Sequence, residues 1–293
     1  MKLQTVVDIK PLEWKIGYED KILLVGSCFA DSIGQMMEQR GLQVTCNPFG
    51  TLYNPVSIAQ ALNYQLPMTN DQLPLVEYDG LWHSMAHHGS FSRPTKEEAE
   101  EAVKASIETM QKALNEANVV IVTFGTAWVY EMKDAARLSG SGASPVVGNC
   151  HKLPAENFTR RRLSVDEIVQ TWQPIIAQYP DKHWLFTVSP IRHIKDGLHE
   201  NQLSKTTLLL AVEQITNDQS PMTNTISYFP SYEILLDELR DYRFYADDLV
   251  HPSSMAINYI WERFADTFCT PQTRNEMQIR YKQWKFNQHI PLH

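Results

Sequence analysis

Two short segments hold residue types suited to acyl transfer. The first is Lys21-Ile22-Leu23-Leu24-Val25-Gly26-Ser27, an apolar β-type run that stops at Gly-Ser and leads into a helical pattern. In open α/β sheets, ligands bind in the crevice beyond the strand C-termini. Unpaired N–H groups at a helix start there stabilise negative charge that develops during acyl transfer. Ser27 is therefore a candidate nucleophile; the competing use is a plain helix cap, for which serine is favoured. The second segment is Asp247-Asp248-Leu249-Val250-His251-Pro252-Ser253. Its Asp-x-x-His spacing lets Asp248 fix the imidazole tautomer of His251 while the other ring nitrogen takes a proton from a hydroxyl. Alone, an Asp–His contact in a surface turn explains it equally well. Together the segments predict a Ser27–His251–Asp248 triad. Cys28 offers a rival nucleophile, since a thiolate near a helix start is activated. If Ser27 faces the crevice, Cys28 points elsewhere and packs as a small apolar residue.

Other polar residues fall at loop positions: His83, His87, His88, Asn149, His151, Arg192 and His193. Arg192 and His193 follow Ser189-Pro190 at the end of an expected strand. There they can bind a substrate carboxylate or sugar hydroxyl, or pair with the protein's own carboxylates. The cysteines at 28, 46, 150 and 269 form no CxxC pair, and no histidine spacing suggests converging ligands, so no metal is expected. Neither a Gly-x-Gly-x-x-Gly fingerprint nor a Walker A loop is present, so no cofactor is expected.

The elements that must position these residues read as βαβ units. Brief apolar runs at 21–25, 42–46, 119–124, 183–188 and 225–229 are expected strands of a parallel sheet. Periodic segments at 30–40, 55–66, 95–118, 164–179, 201–217 and 253–268 are expected helices, with Thr95 as an N-cap. The chain is read as one domain, 1–293, with two excursions. One, near 73–93, carries Asp79-Gly80, a hairpin-turn signal. The other, near 132–157, holds Ser139-Gly140-Ser141-Gly142, a segment suited to a lid. Near 271–286 the mixture of Arg274, Arg280, Lys282 and Lys285 with Tyr281 and Trp284 fits a basic-aromatic nucleic-acid surface or, preferably, an amphipathic closing helix.

Composition narrows the partners. With 26 Lys and Arg against 34 Asp and Glu, the formal charge is −8, which disfavours nucleic acid and anionic membranes. No run of about 18 apolar residues spans a bilayer. The start of the chain lacks the apolar stretch of a secretory signal, so a cytoplasmic protein with reduced thiols is expected.

Gly26-Ser27-Cys28-Phe29-Ala30 is the pentapeptide of the GSCFA family, and the chain resembles that family through most of its length. The likeness includes Asn47-Pro48-Phe49-Gly50-Thr51, Thr123-Phe124-Gly125-Thr126-Ala127-Trp128, Val188-Ser189-Pro190-Ile191-Arg192-His193 and Asp248-Leu249-Val250-His251-Pro252. The family is similar to the SGNH/GDSL hydrolases. The resemblance implies a flavodoxin-like three-layer α/β/α sandwich with a mostly parallel sheet of about five strands. It also implies an oxyanion hole drawn from the Ser27 amide, the Gly50 amide and a third-block donor. Thr126 stands where the superfamily usually has asparagine. The expected activity is that of a serine esterase acting on a small acyl, O-acetyl type ester on a small molecule or glycan. Trp128 and Trp82 offer stacking surfaces, and Arg192 and His193 substrate contacts. The alternatives are a noncatalytic carbohydrate-binding protein or an O-acyltransferase using the same serine.

Overall fold

Parallel strands covered on both faces need continuous apolar sequence rather than alternation, and the 21–26 segment meets that requirement. In the computed structural model it is strand β1 (Lys21–Gly26), buried after its first residue. The structure describes residues 4–64, 73–134, 146–217 and 225–288. The Gly/Ser cluster at 139–142 lies outside them. Further strands are β2 (Gln43–Cys46), β3 (Leu75–Tyr78), β4 (Leu81–Ser84), β5 (Val119–Phe124), β6 (Trp128–Met132), β7 (Phe158–Arg162), β8 (His183–Val188) and β9 (Ile226–Phe229). The helices are α1 (Cys28–Glu38), α2 (Pro55–Asn63), α3 (Lys96–Glu116), α4 (Val165–Gln178), α5 (Leu198–Asn217), α6 (Ser231–Glu233), α7 (Ser254–Phe268) and α8 (Pro271–Gln288). A π-helical turn, Ile234–Leu239, continues α6.

The main sheet runs β2-β1-β5-β8-β9, and every pairing in it is parallel. Counted within this sheet alone, that is the flavodoxin order 2-1-3-4-5, whose topological switch point lies between the first and third strands. Here those strands are β1 and β5. Alternate residues of each strand face opposite layers. Leu23, Val25, Val120, Val122, Trp184 and Phe186 join a core with residues of α2, α3, α4 and α5. Ile22, Leu24, Val119, Ile121 and Leu185 join the core beneath α1 and α7. The result is a three-layer α/β/α sandwich, as expected. Each fully buried large side chain contributes on the order of 1.5–3 kcal/mol, so Trp172, Trp184, Phe124 and Phe186, stacked edge-to-face and tilted, anchor the larger core.

Local chemistry starts the helices where the sequence indicated. Thr95 Oγ1 accepts from the Glu98 amide at 3.3 Å, and Ser164 with Glu167 forms a reciprocal capping box. The expected excursion at 73–93 is the antiparallel β3–β4 hairpin. Both its turn residues, Asp79 (φ 50°) and Gly80 (φ 73°), are left-handed, as a two-residue type I′ turn requires. The second antiparallel pair, β6 with β7, was not anticipated: Thr159-Arg160-Arg161-Arg162 reads as polar, and its partner strand lies in a distant segment. At the C-terminus the basic-aromatic residues hold α8 in place. The Arg40 guanidinium lies 5.0 Å from the Trp261 ring and 4.1 Å from Tyr281, and Arg280 sits 4.3 Å from Tyr18. No helix among the described residues is long and apolar enough to cross a membrane.

Where β1 ends, its backbone almost touches β5. A Cβ on Gly26 (φ 135°) would sit 2.1 Å from the Thr123 carbonyl oxygen. Gly26→Ala is expected to destabilise the fold by about 3 kcal/mol or more, lowering Tm by roughly 6–12 °C. A Cβ on Gly89 meets nothing within 4 Å, so Gly89→Ala should stay within about 0.5 kcal/mol of wild type in the same thermal melts.

Candidate active site

The turn from β1 into α1 decides which side chain meets the cleft. Ser27 is the N-cap, in extended conformation (φ −70°, ψ 169°). Its amide donates to Thr123 O at 3.1 Å, and its Oγ accepts from the Phe29 amide at 3.4 Å. At 1% exposure Ser27 is enclosed. The next residue, Cys28, is the first of the helix and turns outward. Its Sγ lies 3.8 Å from His251 Nε2. The pairing expected of Ser27 with His251 is not among the contacts of the described residues: His251 Nε2 meets Cys28 Sγ, and Ser27 serves as the helix cap.

The Asp248–His251 pair is present as expected. Asp248 Oδ1 accepts from the amides of Val250 and His251, each at 2.9 Å, and its Oδ2 meets His251 Nδ1 at 2.6 Å. The His251 amide, the imidazole and the Val250 amide hold the Asp248 carboxyl down to about 2. An ionised carboxylate only accepts, so Nδ1 bears a hydrogen and Nε2 is the ring nitrogen turned to the thiol. The tight loop needs Leu249 in the left-handed region at φ 57°. Arg192 braces it: its amide donates to Val250 O and its Nη1 to Leu249 O, both at 3.2 Å.

Burial, then the nearby Asp31 carboxylate, pushes the Cys28 thiol above the ordinary cysteine value. The Cys28 and Phe29 amides at the start of α1, and the Lys205 ammonium, oppose that rise. The resting group is accordingly a neutral thiol that needs a base. Cys28, Asp248 and His251 line a cleft of about 650 Å³ together with Tyr53, Thr126, Trp128, Arg192 and His193. It opens beyond the ends of β1 and β5, at the switch point.

The predicted substrate contacts Arg192, His193 and Trp128 thus share the cleft with the Cys28–His251–Asp248 group. One face of Trp128 is already covered by the Arg160 guanidinium at 3.7 Å, and Arg160 in turn binds Asp196 at 2.5 Å. Trp82 lies away from the cleft, on β4. Burial, then Lys205 and His251, brings His193 down to about 3, so it meets a ligand as neutral imidazole.

The groups expected as oxyanion donors, on Ser27, Gly50 and Thr126, have other partners in this structure. The Ser27 amide is committed to Thr123, and the Gly50 amide donates to Asn47 O at 2.7 Å inside its turn. Gly50 is required there by φ 73° and by His88, whose Cβ would lie 2.4 Å from an added Cβ. Thr126 does line the cleft, but its hydroxyl meets Ser204 Oγ at 3.0 Å and accepts from the Trp128 amide at 3.1 Å. Sequence reasoning missed Tyr53. Its carbonyl accepts the Gly125 and Thr126 amides at 2.8 and 3.0 Å, and its ring lines the cleft. Burial, then Cys28 and Asp31, raises its phenol, keeping it a protonated donor. The signal available was its place just after Asn47-Pro48-Phe49-Gly50.

The GSCFA family model matches residues 21–264. The chain belongs to the GSCFA family. Among solved structures, this GSCFA protein is similar to a carbohydrate esterase family 3 protein from Talaromyces cellulolyticus, at 11% identity over 89% of this chain and 99% of that one, TM-score 0.38. It is also similar to a family two carbohydrate esterase from Clostridium thermocellum in complex with cellohexaose, at 12% identity over 92% and 68%, TM-score 0.39. A third is an acetyl xylan esterase from the rumen bacterium Butyrivibrio proteoclasticus, at 8% identity over 89% and 65%, TM-score 0.38. No curated protein sequence matches the chain.

His83, His87 and His151 support the structure around the β3–β4 hairpin. His87 bridges Ser84 and Ser106, each at 2.8 Å, and stacks on Phe49; His151 Nε2 meets Ser84 O at 2.8 Å, and His83 lies between Ser92 and Tyr78. Among the described residues no group of three or more His, Cys, Asp or Glu is arranged to hold a metal. Burial brings His87 down to about 3 and His151 to about 4. An unfolded histidine titrates near about 6.5, so the unfolded chain binds more protons between that pH and these values. The stability these residues contribute is complete above about pH 6.5 and is lost as pH falls toward 4 and 3. Urea midpoints should therefore fall steadily from pH 7 to pH 4; a midpoint that rises on acidification contradicts the buried neutral histidines.

Proposed function

We propose that the protein is an acyl ester hydrolase that uses Cys28 as nucleophile, His251 as general base and then acid, and Asp248 to orient the imidazole. The observation that carries this reading is the 3.8 Å contact of Cys28 Sγ with His251 Nε2, with Nδ1 held by Asp248, at the mouth of the cleft. The sulfur attacks the acyl carbonyl carbon, the C=O π pair moves to oxygen, and the thiol proton passes to Nε2. Collapse of the tetrahedral species expels the alcohol, which takes that proton. Water, deprotonated by His251, then attacks the thioester, releasing the carboxylic acid and the thiol. The Tyr53 hydroxyl and the Cys28 amide are the proposed oxyanion donors, replacing the expected set.

Access for water favours hydrolysis over transfer to an acceptor, since the Asp248 and His251 side chains are each 49% exposed. A small acyl group on a polar alcohol, such as an O-acetylated carbohydrate, suits walls built from Tyr53, Trp128, Asn149, Arg192 and His193. The family's resemblance to the SGNH/GDSL hydrolases supports the same class.

The deciding experiment is incubation with p-nitrophenyl acetate, acid quench, and peptide mass mapping of wild type, Ser27→Ala, Cys28→Ala and His251→Ala. One acetyl group is expected on Cys28 of wild type and of folded Ser27→Ala, and none on Cys28→Ala. Turnover should fall by roughly 10²–10⁴-fold in His251→Ala. Acetylation of Ser27 in Cys28→Ala would sink the thiol mechanism.

A further inference from the structure

Lys205, on α5, is 1% exposed. Its Nζ donates to the carbonyl of Gly125 at 2.6 Å and to that of Ser189 at 2.7 Å. These two residues directly follow β5 and β8, on the side of the sheet where the cleft opens. The Lys205 ammonium is bonded to no carboxylate among the described residues. Burying an ammonium without a counter-charge is costly even when carbonyls accept its hydrogens. A methionine would fill the same length without that cost. The charge is therefore better accounted for by what it faces than by packing.

Three titratable groups face it among the described residues. Cys28, at the start of α1, is coupled to it in both directions: the ammonium favours the thiolate, and the thiolate favours the ammonium. His193, in the loop after β8, is held neutral partly by the same charge. The Tyr232 ring, on α6, lies 5.8 Å from Nζ.

We propose that Lys205 is a positioning residue for the Cys28 reaction: it fixes the ends of β5 and β8 through Gly125 and Ser189 and supplies the positive charge that offsets negative charge developing on the Cys28 sulfur. This rests on the nucleophile reading above. Lys205 transfers no proton; the thiol proton still goes to His251 Nε2, and the lysine stays behind the reacting atoms. Burial brings the lysine down to about 7, so its charge weakens as pH rises through neutrality.

The test is iodoacetamide alkylation of Cys28 in the full chain, followed by mass mapping from pH 5.5 to 10. Lys205→Met should alkylate about tenfold more slowly below neutral pH, where the wild-type lysine is charged, with the two rates converging as pH rises past neutrality, and its Tm should fall because Gly125 O and Ser189 O lose their donor. A folded Lys205→Met whose Cys28 is alkylated as fast as wild type below neutral pH overturns the role of the lysine and leaves the nucleophile reading standing. Should Lys205→Met fail to fold, His251→Ala decides. With the imidazole gone, coupling to the lysine should spread the alkylation curve over more than a single-group titration, and a single-group curve overturns the proposal. Absence of an acetyl group on wild-type Cys28 after p-nitrophenyl acetate treatment overturns the nucleophile reading, and this proposal with it.

Discussion

The active-site geometry depends on a backbone contact at the end of β1. Gly26 lies so close to Thr123 of β5 that no side chain fits between them, and the Ser27 amide is then captured by the Thr123 carbonyl. With both residues held, the chain has one way to begin α1: Ser27 inward as cap, Cys28 outward as first helical residue. The Gly26 amide is fastened to Asn47 Oδ1 at 2.8 Å and its carbonyl to the Leu52 amide at 3.0 Å. The loop that carries Tyr53 is thus registered to the same point. One close approach at the switch point positions the thiol, a cleft wall and the start of a helix.

Around that point the charges are arranged in opposition. Burial and Asp31 favour the neutral thiol; helix-start amides and Lys205 favour the thiolate. Asp31 is itself occupied, accepting from Asn47 Nδ2 at 2.6 Å and Thr51 Oγ1 at 3.2 Å, so it stabilises the loop while restraining the sulfur. The Asp248–His251 pair stands half in solvent, where protons exchange freely, whereas Lys205 and His193 lie behind it. Such a division sets a buried positive charge behind the thiol and a half-exposed imidazole in front of it.

Much of the scaffold was legible because its strands are short, wholly apolar and bounded by turns; the five strands of the main sheet fall within a residue of the runs read from the sequence. The β6–β7 pair was hidden because ladder hydrogen bonds, not apolar burial, define β7, and the π-helical turn at Ile234–Leu239 has no simple period. At the site, Asp248 with His251 was readable because three residues of one loop make the contact. The side chain that meets His251 lies one position beyond the one read from the sequence, for a definite reason. Serine is both a familiar nucleophile and a preferred N-cap, and one step at a strand-to-helix turn exchanges inside for outside. Similarly, Gly50 reads as an oxyanion donor, although its amide is consumed by its own turn, and the residue of that loop that lines the cleft, Tyr53, lies three residues later.

The thiol and its base stand 223 residues apart in the chain. During synthesis from the N-terminus, Cys28 emerges early, but the sheet order places β5 beside β1, and the loop carrying His251 can close only after β8 and β9 have joined the edge. Until then Cys28 has no imidazole from that loop beside it. The wall of the cleft that holds His251 is therefore supplied by the segment after β9, and Cys28 meets its imidazole partner through tertiary folding alone.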